Sequence, residues 1–341
     1  MGTVDPMHLP RALASAALAL TTALPLAGCS SNEPRSGDAR LSAAPAAQTR
    51  VVAISVDGLG TSALRRLGAT GAPTLHRLLR EGAGTRNART EVEQTVTLPN
   101  HTSMLTGRRI DARKGGHGVT WNDDRSGSTV HESAGEQVDS VFTSVHAAGG
   151  STALYSTKTK FSLFDRSWSA DIDRFRVREN QRRLVRLART DLVDGAPTFT
   201  FLHVSLPDRY GHEYGGLSAQ YLDAVRRTDD QLGTIVRALA GTETVVVLTA
   251  DHGFAAGRKD HSDRSNVVNY RIPFVVWGDG IEHGDLYELN PAYADPGRTF
   301  PSYAGAQPVR NGNVANLVAG LLGLDPVPGS QIGVKDPLVT D

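Results

Sequence analysis

Short apolar runs that each end near a carboxylate constrain this chain more than any other feature. V-V-A-I-S-V at 51–56 runs into Asp57 and Gly58, an apolar stretch at 198–206 delivers Asp208 and His212, and V-V-V-L-T at 245–249 leads to Asp251, His252 and Gly253. Runs of this length, rich in β-branched residues, read as buried strands. Residues 153–155 and 272–277 read the same way. Helical spacing marks the intervening segments 73–81, with Pro73 in the first turn, 138–148, 218–240 and 314–322. The alternation predicts an α/β fold, a doubly wound and mainly parallel sheet with helices on both faces. The arginine-rich segment 174–189 also reads as helix-like, with Leu184, Val185 and Leu187 marking a buried face. In open α/β sheets ligands collect outside the carboxyl ends of the strands, so the carboxylates and imidazoles should meet on one rim.

A second feature supplies a hydroxyl. In T-V-T-L-P-N-H, Thr97 stands just before Pro99, a residue suited to a helix's first turn, and Met104 and Leu105 follow at core-facing spacing. The helix should run to about Gly107. Unpaired N–H groups and the helix dipole favour negative charge at such a start, where a phosphoryl group would sit. Taken alone, Thr97 is an ordinary helix cap.

The ligand types change that reading. Asp57, Asp208 and Asp251, with His212, His252 and His261 of K-D-H-S-D, give three carboxylates and three imidazoles without a thiolate. This set suits zinc or another first-row divalent ion better than calcium, which prefers oxygen alone. It exceeds one tetrahedral site and fits two ions that clamp an in-line phosphoryl displacement. Singly, each group has an ordinary structural role: Asp57 in an Asx-turn, Asp208 and His212 in a solvated loop, Asp251 and His252 as a cap, Asn122 in a turn beside Asp123 and Asp124. The set in this order carries the functional reading.

From residue 51 to Ile281 these motifs resemble the alkaline phosphatase superfamily, and within it the nucleotide pyrophosphatase/phosphodiesterase branch. The resemblance implies an alkaline phosphatase-like fold, two zinc ions and a nucleophilic threonine at Thr97. It implies that Asn122, in H-G-V-T-W-N, helps hold a non-bridging phosphate oxygen. Asp57, Asp251 and His252 match the ligands of the metal that activates the nucleophile, with Thr97 itself on that metal. Asp208, His212 and His261 match those of the metal on the leaving-group side. The implied chemistry is two-step: Thr97 attacks phosphorus, the leaving oxygen departs, and water hydrolyses the phosphothreonine. The last histidine departs from the pattern of the better-known animal members, because His261 follows Gly253 by only a short loop and precedes Ser262. His283, in E-H-G-D, is its competitor. His261 is preferred because the apolar run 272–277 follows it, as the family order requires.

Other polar residues receive structural readings. His203, inside an apolar run, reads as a hydrogen-bonded core residue. His101 and His117 accompany motifs and support them, and Lys158 and Lys160 in Y-S-T-K-T-K-F read as exposed, with pocket lining as the alternative. A formylglycine sulfatase is excluded because position 97 is neither Cys nor Ser. A phosphomonoesterase on the same site stays open through Arg108 and Arg109, although Asn122 favours a diester. So does a non-catalytic phosphate-binding surface lipoprotein.

Lysine plus arginine equals aspartate plus glutamate at 36 each, so no basic excess points to a nucleic-acid duplex. A small phosphorylated substrate, a nucleotide or other diester, fits better. Arg11 and an apolar run at 12–27, ending in L-A-G-C with the chain's single cysteine, Cys29, resemble a bacterial lipoprotein signal. The expected organisation is a signal at 1–29, a flexible Ser/Ala/Pro/Gly-rich tether at 30–49 and one catalytic domain at 50–341. The protein is then exported, at the cell surface or in the periplasm, and membrane-anchored through Cys29. Residues 115–169 carry no motif that identifies a base, sugar or lipid pocket.

Overall fold

The computed structural model describes residues 49–340; the signal and tether expected at 1–29 and 30–49, with Cys29, lie almost wholly outside them. Eight strands form one sheet: β1 Arg50–Val56, β2 Ala83–Arg89, β3 Thr152–Ser156, β4 Arg174–Val177, β5 Phe199–Val204, β6 Thr244–Thr249, β7 Arg271–Trp277 and β8 Gly284–Asp285. Their spatial order is β4-β3-β5-β1-β6-β7-β2-β8. Strands β4 to β6 are mutually parallel, and β7 runs antiparallel to both its neighbours. The expected mainly parallel α/β sheet is therefore present, with one reversed strand. Val51 to Val56 is buried at every position because β1 is paired on both edges and covered on both faces. Each such aliphatic side chain contributes about 1.5–3 kcal/mol by leaving water.

The helices fall into two packed groups. Ala219–Leu239 packs against Thr61–Gly71, Pro73–Glu81, Gln181–Asp194 and Leu206–Tyr214, while Thr97–Thr106 packs against Val141–Ala147 and Val314–Leu321. Local chemistry sets their starts. Ser218 accepts from the Tyr221 N–H, Ser140 and Thr143 form a capping box, and Pro73 opens its helix. The Asp229 carboxylate also accepts from the N–H groups of Thr74 and Leu75, at 3.0 and 2.7 Å, joining two helices of one layer. Among the described residues no helix is long and apolar enough to cross a membrane.

Several boundaries correct the sequence reading. The arginine-rich segment divides into strand β4 and a helix starting at Gln181, because Asn180 caps the Arg183 N–H and stops the strand. The run expected through residue 206 ends at Val204, and Leu206 already opens a helix whose second residue is Pro207. Asp208 and His212 thus lie one turn apart on a helix face rather than in a loop.

Strands β3, β5, β1 and β6 are consecutive and parallel, so their carboxyl ends form one rim. Along it the chain delivers, in spatial order, Lys158, Asp208, Asp57 and Asp251.

Candidate active site

Thr97 is the first residue of the helix Thr97–Thr106, with Val96 at the cap position and Gly107 ending it at φ 63°. Pro99 thus lies in the first turn, as its position suggests. The Thr97 hydroxyl caps nothing; its hydrogen-bond neighbour is the Lys158 ammonium at 3.4 Å. The first turn is held from outside. His101 Nδ1 donates to the Thr97 carbonyl at 2.8 Å while its Nε2 accepts from Ser55 Oγ at 2.8 Å, tying the helix to β1. Asn122 Oδ1 accepts from the Leu98 N–H at 3.0 Å. His117 supports the same helix through Ser103 Oγ, at 3.0 Å from its Nε2.

The predicted ligands converge. Asp57, Asp251 and His252 offer atoms that all lie within 4.8 Å of one another, and so do Asp208, His252 and His261. His212 Nε2 joins the second group, 3.2 Å from His261 Nε2 and 3.3 Å from Asp208 Oδ1. His252 lies within reach of both groups, with Asp57 and Asp251 on one side and Asp208 and His261 on the other. Gly58 permits the close approach: its φ is 72°, and a Cβ there would lie 2.9 Å from Asp208 Cα.

All three histidines are oriented by the backbone. Nδ1 faces the carbonyl of Gly253 in His252, of Thr95 in His261 and of Lys259 in His212, at 3.1, 2.6 and 2.8 Å. A carbonyl only accepts, so Nδ1 carries a hydrogen in each ring and each Nε2 is turned to the cluster, where it can offer its lone pair to a metal or, when none is bound, hold a proton. Asp57 Oδ1, Asp208 Oδ1, Asp251 Oδ2 and His252 Nε2 are buried without any hydrogen-bond partner. Such facing acceptors are costly to bury unless a cation or proton lies between them.

The electrostatics agree. Burial, reinforced by the charge of Asp57, pushes the Asp251 carboxyl up to about 8. Burial opposes the His252 cation, but Asp251 and Asp57 outweigh it and raise the imidazole to about 9. The cluster therefore recruits protons when no other cation is bound. Burial and the neighbouring His252 push His261 down to about 3, keeping it neutral and available as a ligand. This donor set fits divalent metal ions.

Lys158 corrects the sequence reading. Expected to be exposed, its ammonium instead donates to Asp57 Oδ2 at 2.6 Å and to Asp208 Oδ2 at 2.8 Å. Burial alone would raise both carboxyls, yet Lys158 is the chief cation holding Asp57 and Asp208 below the usual carboxylate range, with contributions from neighbouring histidines. Lys160 is likewise half-buried and donates to Asn122 Oδ1 at 3.1 Å. His203 is the hydrogen-bonded core residue expected, and its partner is a site group: Nε2 lies 2.9 Å from Asp57 Oδ2. His283 is exposed beyond β7, away from both clusters, whereas His261 is buried within one. Arg108 and Arg109 are engaged by Glu136 and Glu93.

A sequence profile described as Type I phosphodiesterase / nucleotide pyrophosphatase matches residues 51–298, the span that contains every one of these groups. The chain belongs to that family. It is thereby a member of the alkaline phosphatase superfamily, as the motifs implied. This phosphodiesterase-family chain shares 29% identity over 139 residues with GPI ethanolamine phosphate transferase 1 of Saccharomyces cerevisiae, covering 39% of the chain and 15% of the yeast protein. It shares 32% over 121 residues with phosphopentomutase of Shewanella loihica, covering 35% and 27%. The matched stretch is thus a small part of these relatives' length. Among solved structures, murine ectonucleotide pyrophosphatase/phosphodiesterase 5 superposes with a TM-score of 0.60 at 14% identity, over 86% of this chain and 100% of that one. An inactive variant of that murine protein is in complex with AMP, with a TM-score of 0.57 at 13% identity, over 82% and 96%. The lipoteichoic acid synthase LtaP of Listeria monocytogenes follows at 0.56 and 16%, over 85% and 75%. These likenesses establish a shared fold for the phosphodiesterase-family domain.

Proposed function

We propose that this protein is a metal-dependent phosphodiesterase that uses Thr97 as nucleophile and acts on a small nucleotide or other diester. The observation that carries the reading is the set of partnerless buried atoms on Asp57, Asp208, Asp251 and His252, next to a threonine hydroxyl that caps no helix. Two divalent ions, zinc being the best match to the donors, would be held by Asp57, Asp251 and His252 and by Asp208, His212 and His261, and would supply Lewis acidity. Thr97 Oγ attacks phosphorus, the P–O bond to the leaving group breaks, and a water later cleaves the phosphothreonine. The Leu98 N–H and Lys160 hold the Asn122 carbonyl, which leaves its NH₂ group to donate to a non-bridging oxygen. Family membership supports phosphoric-ester hydrolysis, and the AMP-bound murine relative supports a nucleotide among the substrates.

Hydrolysis of bis(p-nitrophenyl) phosphate and p-nitrophenyl phosphate, each with and without chelator, tests this. The diester should be preferred and chelator should abolish its turnover. Thr97→Ala should retain metal and lose at least about a thousandfold in rate. Wild-type rates in that variant would sink the proposal, and a strong monoester preference would redirect it.

We further propose that L-A-G-C makes Cys29 a lipid anchor for an exported protein. Cys29→Ser should move the protein from the membrane fraction to the soluble fraction and prevent incorporation of labelled palmitate.

A further inference from the structure

The carboxylate cluster already contains one fixed cation. Lys158 Nζ lies 2.6 Å from Asp57 Oδ2, 2.8 Å from Asp208 Oδ2 and 3.4 Å from Thr97 Oγ1. Its backbone is held by Ser156, whose Oγ accepts the Lys158 N–H at 3.0 Å and donates to the Lys158 carbonyl at 3.1 Å. Only 21% of the lysine side chain is exposed, so the ammonium has exchanged most of its water for the two aspartates.

The two aspartates divide their oxygens in the same way. Each gives Oδ2 to Lys158 and keeps Oδ1 without a partner. The free Oδ1 atoms face His252 Nε2, at 3.4 Å from Asp57 and 3.7 Å from Asp208. A compact ammonium permits this division, whereas the planar fork of an arginine favours taking both oxygens of one carboxylate. One side of the cluster is thus neutralised permanently while the other stays available.

We infer that Lys158 is a protein-supplied cation that keeps the site assembled before metal enters and, by like-charge repulsion, sets how tightly metal binds. The inference rests on the metal-dependent reading proposed above. Without Lys158, Asp57 and Asp208 would face one another across the buried cluster with only protonated imidazole to offset them, and the metal-free protein would carry more of their repulsion. With metal bound, the same ammonium opposes each incoming positive charge, since unit charges a few ångströms apart in a poorly screened interior interact strongly. Lys158 is on this account a positioning residue whose removal strengthens metal binding, the opposite of what loss of a merely structural contact produces.

The test measures zinc affinity by competition with a chromophoric chelator, and melting temperature with zinc and with excess EDTA, for the full-length wild type, Lys158→Met, Lys158→Gln and Lys158→Arg. Lys158→Met and Lys158→Gln should bind zinc at least tenfold more tightly than wild type. Their melting temperatures should fall further below wild type in EDTA than in zinc. Lys158→Arg, which retains the charge, should show no tightening. Wild-type or weaker zinc affinity in both uncharged variants overturns the inference while leaving the metal-dependent reading intact. Failure of the wild type itself to bind zinc or another divalent ion overturns both. Should Lys158→Met fold only when zinc is present, that outcome supports the inference; should it fold under neither condition, Lys158→Gln decides.

Discussion

The imidazoles of His252 and His261 stack with ring centroids 3.4 Å apart and planes 12° from parallel, and both direct Nε2 toward Asp208 Oδ1, at 3.7 and 3.5 Å. Two protonated rings at that separation would repel, so one proton suffices for the pair. His252 holds it through Asp251 and Asp57 despite burial, and His261, buried beside that cation, stays neutral. The stack ties the D-H-G loop to the short loop after it and sets His261 beside the other candidate ligands.

His261→Ala should therefore lower bound zinc by about one ion per chain, while His283→Ala should leave it unchanged. Atomic spectroscopy on the purified proteins reads the difference. Metal loss in His283→Ala with full retention in His261→Ala would reverse the assignment.

Asn122 uses the carbonyl half of its amide for Leu98 and Lys160, and among the described residues its NH₂ half has no protein partner. Asn122→Asp keeps both acceptor contacts and removes the donor. We expect diester turnover to fall about a hundredfold or more, as for loss of an oxyanion donor, with a melting temperature near wild type. A large drop in melting temperature without loss of turnover per folded molecule would assign Asn122 to the helix start alone.

Glu91 is fully buried, accepts from the Tyr303 hydroxyl at 2.7 Å, and is pushed up to about 7 by burial, against the pull of Arg310 and that hydrogen bond. A carboxyl raised in the folded state contributes stability below its unfolded value, near 4.5, and that contribution is lost as pH rises through about 7. Glu91→Gln removes the titration. Its stability relative to wild type should therefore improve between pH 5 and 8 by about 3 kcal/mol at most. Urea unfolding at the two pH values measures this, and parallel pH profiles would count against it.

A Cβ at Gly211 would lie 2.5 Å from the ring of Phe254, which packs edge-on against His212 and His261 with centroids 5.4 and 5.2 Å away. Gly211→Ala should cost about 1–3 kcal/mol through overpacking. It should also weaken zinc binding, because the displaced ring packs on His212 and His261, two of the proposed ligands. Denaturant unfolding with zinc titration tests both effects, and unchanged stability would show that the ring yields freely.

The sequence by itself determined the local pieces of this protein. β-Branched runs marked β1, β6 and β7, Pro73 and Ser218 marked helix starts, and the positions of Asp57, Asp208 and Asp251 after their strands made the rim legible. These features depend on neighbours within a few residues, so periodicity and capping chemistry reveal them. The tertiary structure alone decided what faces what. The order β3-β5-β1-β6 brought the Lys158 ammonium within reach of both Asp208 and Asp57 and brought His203 against Asp57. It also turned a lysine that reads as solvent-facing into the fixed charge of the site. Strand order and loop return are set by long-range burial, which leaves no periodic trace in the chain. A lysine's partners are therefore visible only once distant strands lie side by side.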